Sequence, residues 1–106
     1  MSLIEEIRAK IAVGQFELSV HASDQSLARG IRAWDIVDAL GNGEVIEEYP
    51  DDKYGPSCLI FGSTMLGRPL HVHCSYPSRP LLKIITVYEP DPGRWIDLRH
   101  RRGRTP

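Results

Sequence analysis

FELSVHASDQSLARGI, residues Phe16–Ile31, changes character within a few positions. Phe16–Val20 is apolar and β-prone, a short strand or an extended entry with Ser19 as candidate N-cap. Ala22–Arg29 has helical preference and stops at Gly30, a residue type that commonly closes helices. The stretch therefore predicts a strand running directly into a helix, with His21 at the join and Arg29 in the last turn. Such a junction lies at an edge of the domain, where backbone N–H groups without partners can receive an anion. His21 and Arg29 are about 12 Å apart along a helix axis at 1.5 Å per residue. That separation suits a nucleic-acid backbone better than a single carboxylate.

Upstream, Ser2 and Glu5 form a capping-box pattern, and Leu3, Ile4, Ile7 and Ile11 recur at helical spacing before Gly14. Downstream, Ile31 and Trp34 anchor a third helix, with Ala33, Ile36, Val37 and Leu40 as its buried stripe and Asp35 in its first turn. From Glu44 the texture is β. Glu44–Tyr49 reads as a strand with acidic outward positions, and Ser57–Gly62 as a central strand buried on both faces. Leu70–Tyr76 alternates, placing His71, His73 and Ser75 on one face and Leu70, Val72, Cys74 and Tyr76 on the other. Pro77–Pro80 reads as a four-residue hairpin loop before Leu81–Tyr88, which sets Thr86 opposite His71 and Ile84 opposite His73. The predicted fold is α+β: N-terminal helices on one face of a four- to five-stranded, mainly antiparallel twisted sheet. The other face is expected to be partly open and to present His71 and His73.

The chain reads as one domain, residues 1–106, with a core at about 3–98 and an arginine-rich tail at 99–106. Its hydrophobic fraction of 42% is ordinary for a globular protein. No apolar run approaches a membrane span or a signal peptide, so no membrane association and a cytoplasmic location are expected. Cys58 and Cys74 lie in apolar strand-like runs and read as small buried hydrophobes. The net charge of −1 hides an asymmetry: residues 1–70 carry six basic and eleven acidic side chains, and residues 71–106 carry seven basic and three acidic. Most of the basic excess is Arg94, Arg99, Arg101, Arg102 and Arg104. Such an end is a nucleic-acid contact, a contact for an acidic protein, or a solubilising tail.

His71 and His73 share a strand face with Cβ atoms about 7 Å apart. One reading is a metal site, for which His21 or a distant carboxylate would have to be the third ligand. Another is general acid–base work by imidazole; a third is an ordinary half-buried pair. Gln25 lies one turn from both His21 and Arg29, so the three can line one polar edge. Tyr88 follows Thr86 with the same orientation, suited to a phosphate contact, to stacking on a base or to the core. Trp95 between Arg94 and Arg99 has the aromatic-plus-basic look of a nucleic-acid contact, with Trp95, Ile96 and Leu98 also suited to packing the tail. Asp51, Asp52 and Asp91 read as solvated charges.

Several blocks together carry a family resemblance: Leu18-Ser19-x-His21-Ala22, Arg29-Gly30-Ile31, Asn42–Glu47 with Tyr49-Pro50, Gly67–Val72, and Ile85–Tyr88 with Pro90-Asp91 and Trp95. Over roughly residues 16–95 they resemble the bacterial "domain of unknown function 4258" family, which is similar to RelE/ParE- and BrnT-like toxin folds. In this chain Gln25 stands where the family often has an arginine, Arg32 where it tends to have a serine cap, and His73 lies outside the family pattern. The resemblance implies a toxin-like endoribonuclease from a toxin–antitoxin type module. The alternative is a non-catalytic protein of the same fold that binds a partner protein or RNA; the missing arginine and the pI near 6.4 favour it.

For metal-independent RNA cleavage, His71 with His21 or His73 would supply base and acid, and Arg29 with Lys83 or the basic tail would supply cationic stabilisation. Gln25, Lys83, Thr86, Tyr88, Arg94 and Arg99 are the expected substrate contacts. No metal or cofactor is expected. The expected partners are RNA and an antitoxin-like protein, and a homo-oligomer is compatible with the sequence.

Overall fold

The computed structural model describes residues 1–103; Arg104 in the predicted basic tail lies outside the described residues. The chain order is α1 (Leu3–Ala12), β1 (Phe16–Leu18), α2 (Val20–Arg29), α3 (Ala33–Asn42), β2 (Glu44–Tyr49), β3 (Ser57–Ser63), β4 (Pro69–Ser75), β5 (Leu82–Tyr88), β6 (Trp95–Ile96) and β7 (His100–Arg101). The protein is α+β, with three helices and a five-stranded sheet ordered β1-β5-β4-β3-β2. The β2–β5 meander is antiparallel, as short connections require. β1 joins the free side of β5 in parallel, with Phe16 opposite Leu82.

Local chemistry sets the helix ends. Ser2 Oγ accepts from Glu5 N–H at the start of α1, and Ser19 Oγ from Ala22 N–H at the start of α2. Helix α2 thus begins at Val20, two residues before the sequence reading, and places His21 inside its first turn. Gly30, at φ 63°, closes α2 in the left-handed region where a Cβ is penalised. The α2 carboxyl end also receives Arg68, whose Nη1 and Nη2 donate to the Gly30 and Arg29 carbonyls while its Nε pairs with Glu89. At the next helix start, Arg32 N–H donates to the Asp35 carboxylate, so an acidic N3 residue does what a capping side chain would.

The core lies between the helices and one sheet face. Ile7, Ile36, Ala39 and Leu40 pack against Ile60, Leu70, Val72, Ile84 and Val87, all fully buried. Gly62 lets α3 rest directly on β3, since a Cβ there would sit 1.8 Å from the Ala39 carbonyl oxygen. Trp34, expected to anchor α3, is 61% exposed and lies beneath the Arg32 guanidinium; Ile31 alone is the anchor.

The other sheet face is not open at His71. After Tyr88 the chain turns through Pro90–Gly93 and returns as the β6–β7 hairpin, with Trp95 opposite Arg101. The hairpin turn is Asp97-Leu98, with φ of 52° and 60° and a hydrogen bond from Arg99 N–H to the Ile96 carbonyl. Positive φ at both central residues is the type I′ geometry that fits the twist of paired strands. It is an unusual conformation for leucine.

The β4–β5 register also differs from the expected one. Tyr88 lies opposite His71 and Thr86 opposite His73. The connection is longer than four residues, and the strands slip at His73/Cys74, where Ile85 is the extra residue. Its carbonyl accepts from Ser19 Oγ, which ties the irregularity to the α2 cap.

Candidate functional site

On the sheet face away from the helices, Glu44, Phe61, His71 and Tyr88 form one row across β2–β5, and Glu47, Leu59, His73 and Thr86 the next. Three hairpin side chains bind this face. Trp95 stacks edge-on against the His71 ring at 4.5 Å between centroids. Arg99 pairs with Glu44 and lies over the Phe61 ring. Arg101 grips both Glu47 oxygens at 2.9 to 3.2 Å and lies over Trp95. Arginines 99 and 101, read as a free basic end, are thus committed to the acidic outward positions of β2. Of the two, Arg101 also lines both of the cavities described below, and Arg99 lines neither.

His71 has no exposed surface. Its Nε2 lies 2.6 Å from the Leu98 carbonyl, which only accepts, so Nε2 carries the proton. Nδ1, 3.2 Å from the Tyr88 hydroxyl, is then the acceptor of the Tyr88 proton. Burial lowers the His71 pKa and favours this neutral form. Both nitrogens are occupied, so His71 cannot act as an open base or as a metal ligand while the hairpin is seated. It holds the strained turn and orients Tyr88. The sequence reading makes His71 an acid or base of catalysis; in this arrangement both of its ring nitrogens are already paired. Among the described residues, no group of three or more His, Cys, Asp or Glu side chains is arranged to hold a metal ion.

His73 faces a different environment. Its Nε2 is 2.9 Å from Ser57 Oγ, which is 3.3 Å from Asp52 Oδ2. An ionised Asp52 only accepts, so Ser57 donates to it and accepts from His73 Nε2–H. Nδ1 is then a bare acceptor with no partner among the described residues. Burial lowers the His73 pKa, partly opposed by the Asp52 charge. Asp52, expected as a solvated charge, instead closes this chain and also accepts from Tyr54 N–H in an Asx turn. The spacing of Asp52 and Tyr54 was the available signal; its link to Ser57 and His73 was not. A cavity of about 420 Å³ opens here, lined by Tyr49, Asp52, Leu59, His73, Thr86, Tyr88 and Arg101. Burial, reinforced by its hydrogen bond to Glu47, pushes the Tyr49 phenol up to about 12.

A larger cleft, about 740 Å³, lies between α2 and the returning hairpin. Gln25 and Arg29 contribute from α2, Tyr88 and Glu89 from the end of β5, and Arg94, Arg101 and Arg102 from the tail. Gln25 Oε1 accepts from Val87 N–H at 3.0 Å, which leaves its amide NH2 as the group it can offer. Arg29 has no side-chain partner among the described residues. Arg94 is 84% exposed and reaches Asp91 at only 4.0 Å. Glu89 is neutralised by Arg68. The cleft thus presents guanidinium and amide donors around one phenol, with the Asp91 carboxylate as its one acidic group not paired closely, and the excess of arginines suits a polyanion.

The structure therefore brings together Gln25, Arg29, Tyr88 and Arg94 in the cleft, and His73, Thr86 and Tyr88 in the smaller cavity. Tyr88 and Arg101 line both. His21 lines neither cavity; it lies in the first turn of α2, eight positions before Arg29. Lys83 also lies outside both, opposite Glu17 where β1 meets β5.

The family model for a domain of unknown function (DUF4258) matches residues 18–89, a span that holds α2, the whole meander and Tyr88. The chain belongs to this family. No curated protein and no solved structure matches it. Among the described residues, no helix is long and apolar enough to cross a membrane.

Proposed function

We propose that this protein binds RNA through its phosphate backbone in the arginine cleft, as a non-catalytic member of a toxin-like lineage. The observation that carries the reading is Arg29: a guanidinium without a side-chain partner among the described residues, lining one cleft with Gln25, Arg94 and Arg102. Counterion release from several phosphates would supply most of the affinity. The resemblance to RelE/ParE- and BrnT-like folds supports an RNA target by fold analogy alone. An acidic segment of an antitoxin-like protein would meet the same arginines and compete with RNA.

The test is fluorescence anisotropy with a single-stranded RNA of about 20 nucleotides at low and physiological salt. Arg29→Ala should weaken binding about tenfold and flatten the salt dependence. Binding that is absent, or indifferent to Arg29, overturns the reading.

One observation favours endoribonuclease activity as a second reading. His73, with a bare Nδ1, shares its cavity with Tyr88 and Arg101, which also line the cleft. A phosphodiester beside Tyr88 would have His73 as base for its 2′-hydroxyl and Arg101 to stabilise the phosphorane, with water supplying the proton to the leaving 5′-oxygen because the Tyr88 proton is held by His71. RNA cleavage in the presence of a chelator, lost in His73→Ala, would support it. Intact RNA after long incubation with folded wild-type protein would remove it.

A further inference from the structure

We infer that the smaller cavity is a nucleobase pocket that selects guanine in the RNA whose backbone lies in the arginine cleft. The inference rests on the RNA-binding reading for the backbone, while the pocket stands on its own geometry. At about 420 Å³ the cavity admits a planar heterocycle and leaves space for water. Leu59 and the Tyr49 ring give it apolar surface, and Tyr49 meets His73 edge-on at 5.5 Å, fixing both rings.

Apart from the Arg101 guanidinium, which Glu47 holds, its polar groups are mostly acceptors. Ser57 uses one lone pair of Asp52 Oδ2 and Tyr54 N–H uses Oδ1, so each oxygen keeps a second acceptor position. His73 Nδ1 is an acceptor because its Nε2–H is held by Ser57. Thr86 Oγ1 has no partner among the described residues and can donate or accept. The Tyr88 proton is already given to His71, so the phenol oxygen on this side accepts.

An acceptor-lined slot wants a base whose edge presents adjacent N–H donors. Guanine offers N1–H and N2–H2 side by side, which a carboxylate can receive together. Adenine and cytosine offer one amino group next to an acceptor, which would face the Asp52 charge, and uracil offers one imino N–H between two carbonyls. Tyr88 and Arg101 wall both cavities, so a nucleotide with its base in the pocket leaves its phosphate at the arginines.

The test uses uncharged nucleosides first, because they report the pocket without the arginine cleft. In titrations followed by heteronuclear NMR, guanosine should shift the His73, Thr86 and Tyr49 resonances at concentrations at least tenfold below adenosine, cytidine or uridine. Asp52→Asn, which retains an oxygen for the Tyr54 turn, should abolish that preference. Thr86→Val, which keeps side-chain shape, should weaken guanosine several-fold and leave the fold unchanged by circular dichroism. In RNA binding, replacing the guanosines of an oligonucleotide should reduce wild-type affinity about tenfold and that of Asp52→Asn less than twofold.

Equal response to all four nucleosides, or none, overturns the pocket even if Arg29-dependent RNA binding persists. So does stronger binding of arginine methyl ester than of guanosine, which would mark the slot as a site for a cationic side chain. Guanosine selection without RNA binding would instead retain the pocket and overturn the backbone reading.

Discussion

Against α1 and α3, the sheet buries Ile60, Leu70, Val72, Ile84 and Val87 completely, and the contacts are aliphatic. On its other side, His71 is just as buried, but what covers it is a two-stranded hairpin held by hydrogen bonds and ion pairs: Leu98 on His71, Arg99 on Glu44, Arg101 on Glu47. The first face gains stability from area removed from water, which is insensitive to pH. The second depends on protonation states and on charges that remain partly solvated. A covering of that kind is weaker and more responsive, and it is this side that borders both cavities.

Truncation in the aliphatic layer should give the largest effect. Leu40→Ala removes a fully buried side chain between α3 and the sheet and should cost about 2–5 kcal/mol in denaturant unfolding. Gly62→Ala, which drives a Cβ into the Ala39 carbonyl, should be at least as damaging. A small loss in either would mean that the helices are not seated as described.

The matching cut on the polar side is His71→Ala, which leaves the Leu98 carbonyl and the Tyr88 hydroxyl without partners. The expected cost is about 1–3 kcal/mol. Its signature should be local. In a Trp34→Phe background, emission from the buried Trp95 should shift to the red before the far-ultraviolet circular dichroism changes. Coincident loss of both signals would show that the hairpin and the meander unfold as one unit.

A pH series sharpens the contrast. Burial lowers the pKa of His71 and His73 in the folded protein. In the unfolded chain both titrate near about 6.5, so below that pH the unfolded state takes up protons that the folded state refuses. Stability should be full above about pH 7 and fall as pH drops through 6.5 toward the lowered folded values. The slope is at most about 1.4 kcal/mol per pH unit for each histidine. His73→Asn should reduce the slope; a flat profile between pH 7.5 and 5.5 would contradict the neutral pair.

The smallest effect concerns the turn. Leu98 adopts φ of 60°, a region that costs an L side chain about 1–2 kcal/mol. Leu98→Gly should remove that strain, less the entropy glycine loses on folding, for a net gain of about 0.5–1 kcal/mol. Destabilisation instead would show that the leucine side chain, not its carbonyl, holds the hairpin.

How much of this was legible in the sequence follows the same division. The 3.6-residue spacing of Ile7 and Ile11 and the alternation of Leu70, Val72 and Cys74 report the aliphatic face, because burial against one layer imposes a period on the chain. Ser2, Ser19 and Gly30 mark helix ends by local chemistry. The register slip at Ile85 and the parallel pairing of β1 with β5 leave no such local mark. Neither does the two-residue β6: Trp95 was expected to pack the tail, but its target, His71, is 24 positions away. In the candidate site, Gln25, Arg29, Tyr88 and Arg94 were legible as polar and basic residues near a helix end and a strand end. The burial of His71 was not, because the side chains that cover and neutralise its surroundings come from a segment whose composition reads as solvent-exposed. Asp52 illustrates the same limit, since it reaches His73 of β4 only through Ser57 of β3.

The most direct measurement of the central claim is the salt dependence of single-stranded RNA binding by wild-type protein beside Arg29→Ala. Binding that weakens steadily with added salt, with the variant about tenfold weaker and its slope reduced, is what the arginine cleft predicts. No binding at low salt, or equal binding by the two proteins, would contradict it.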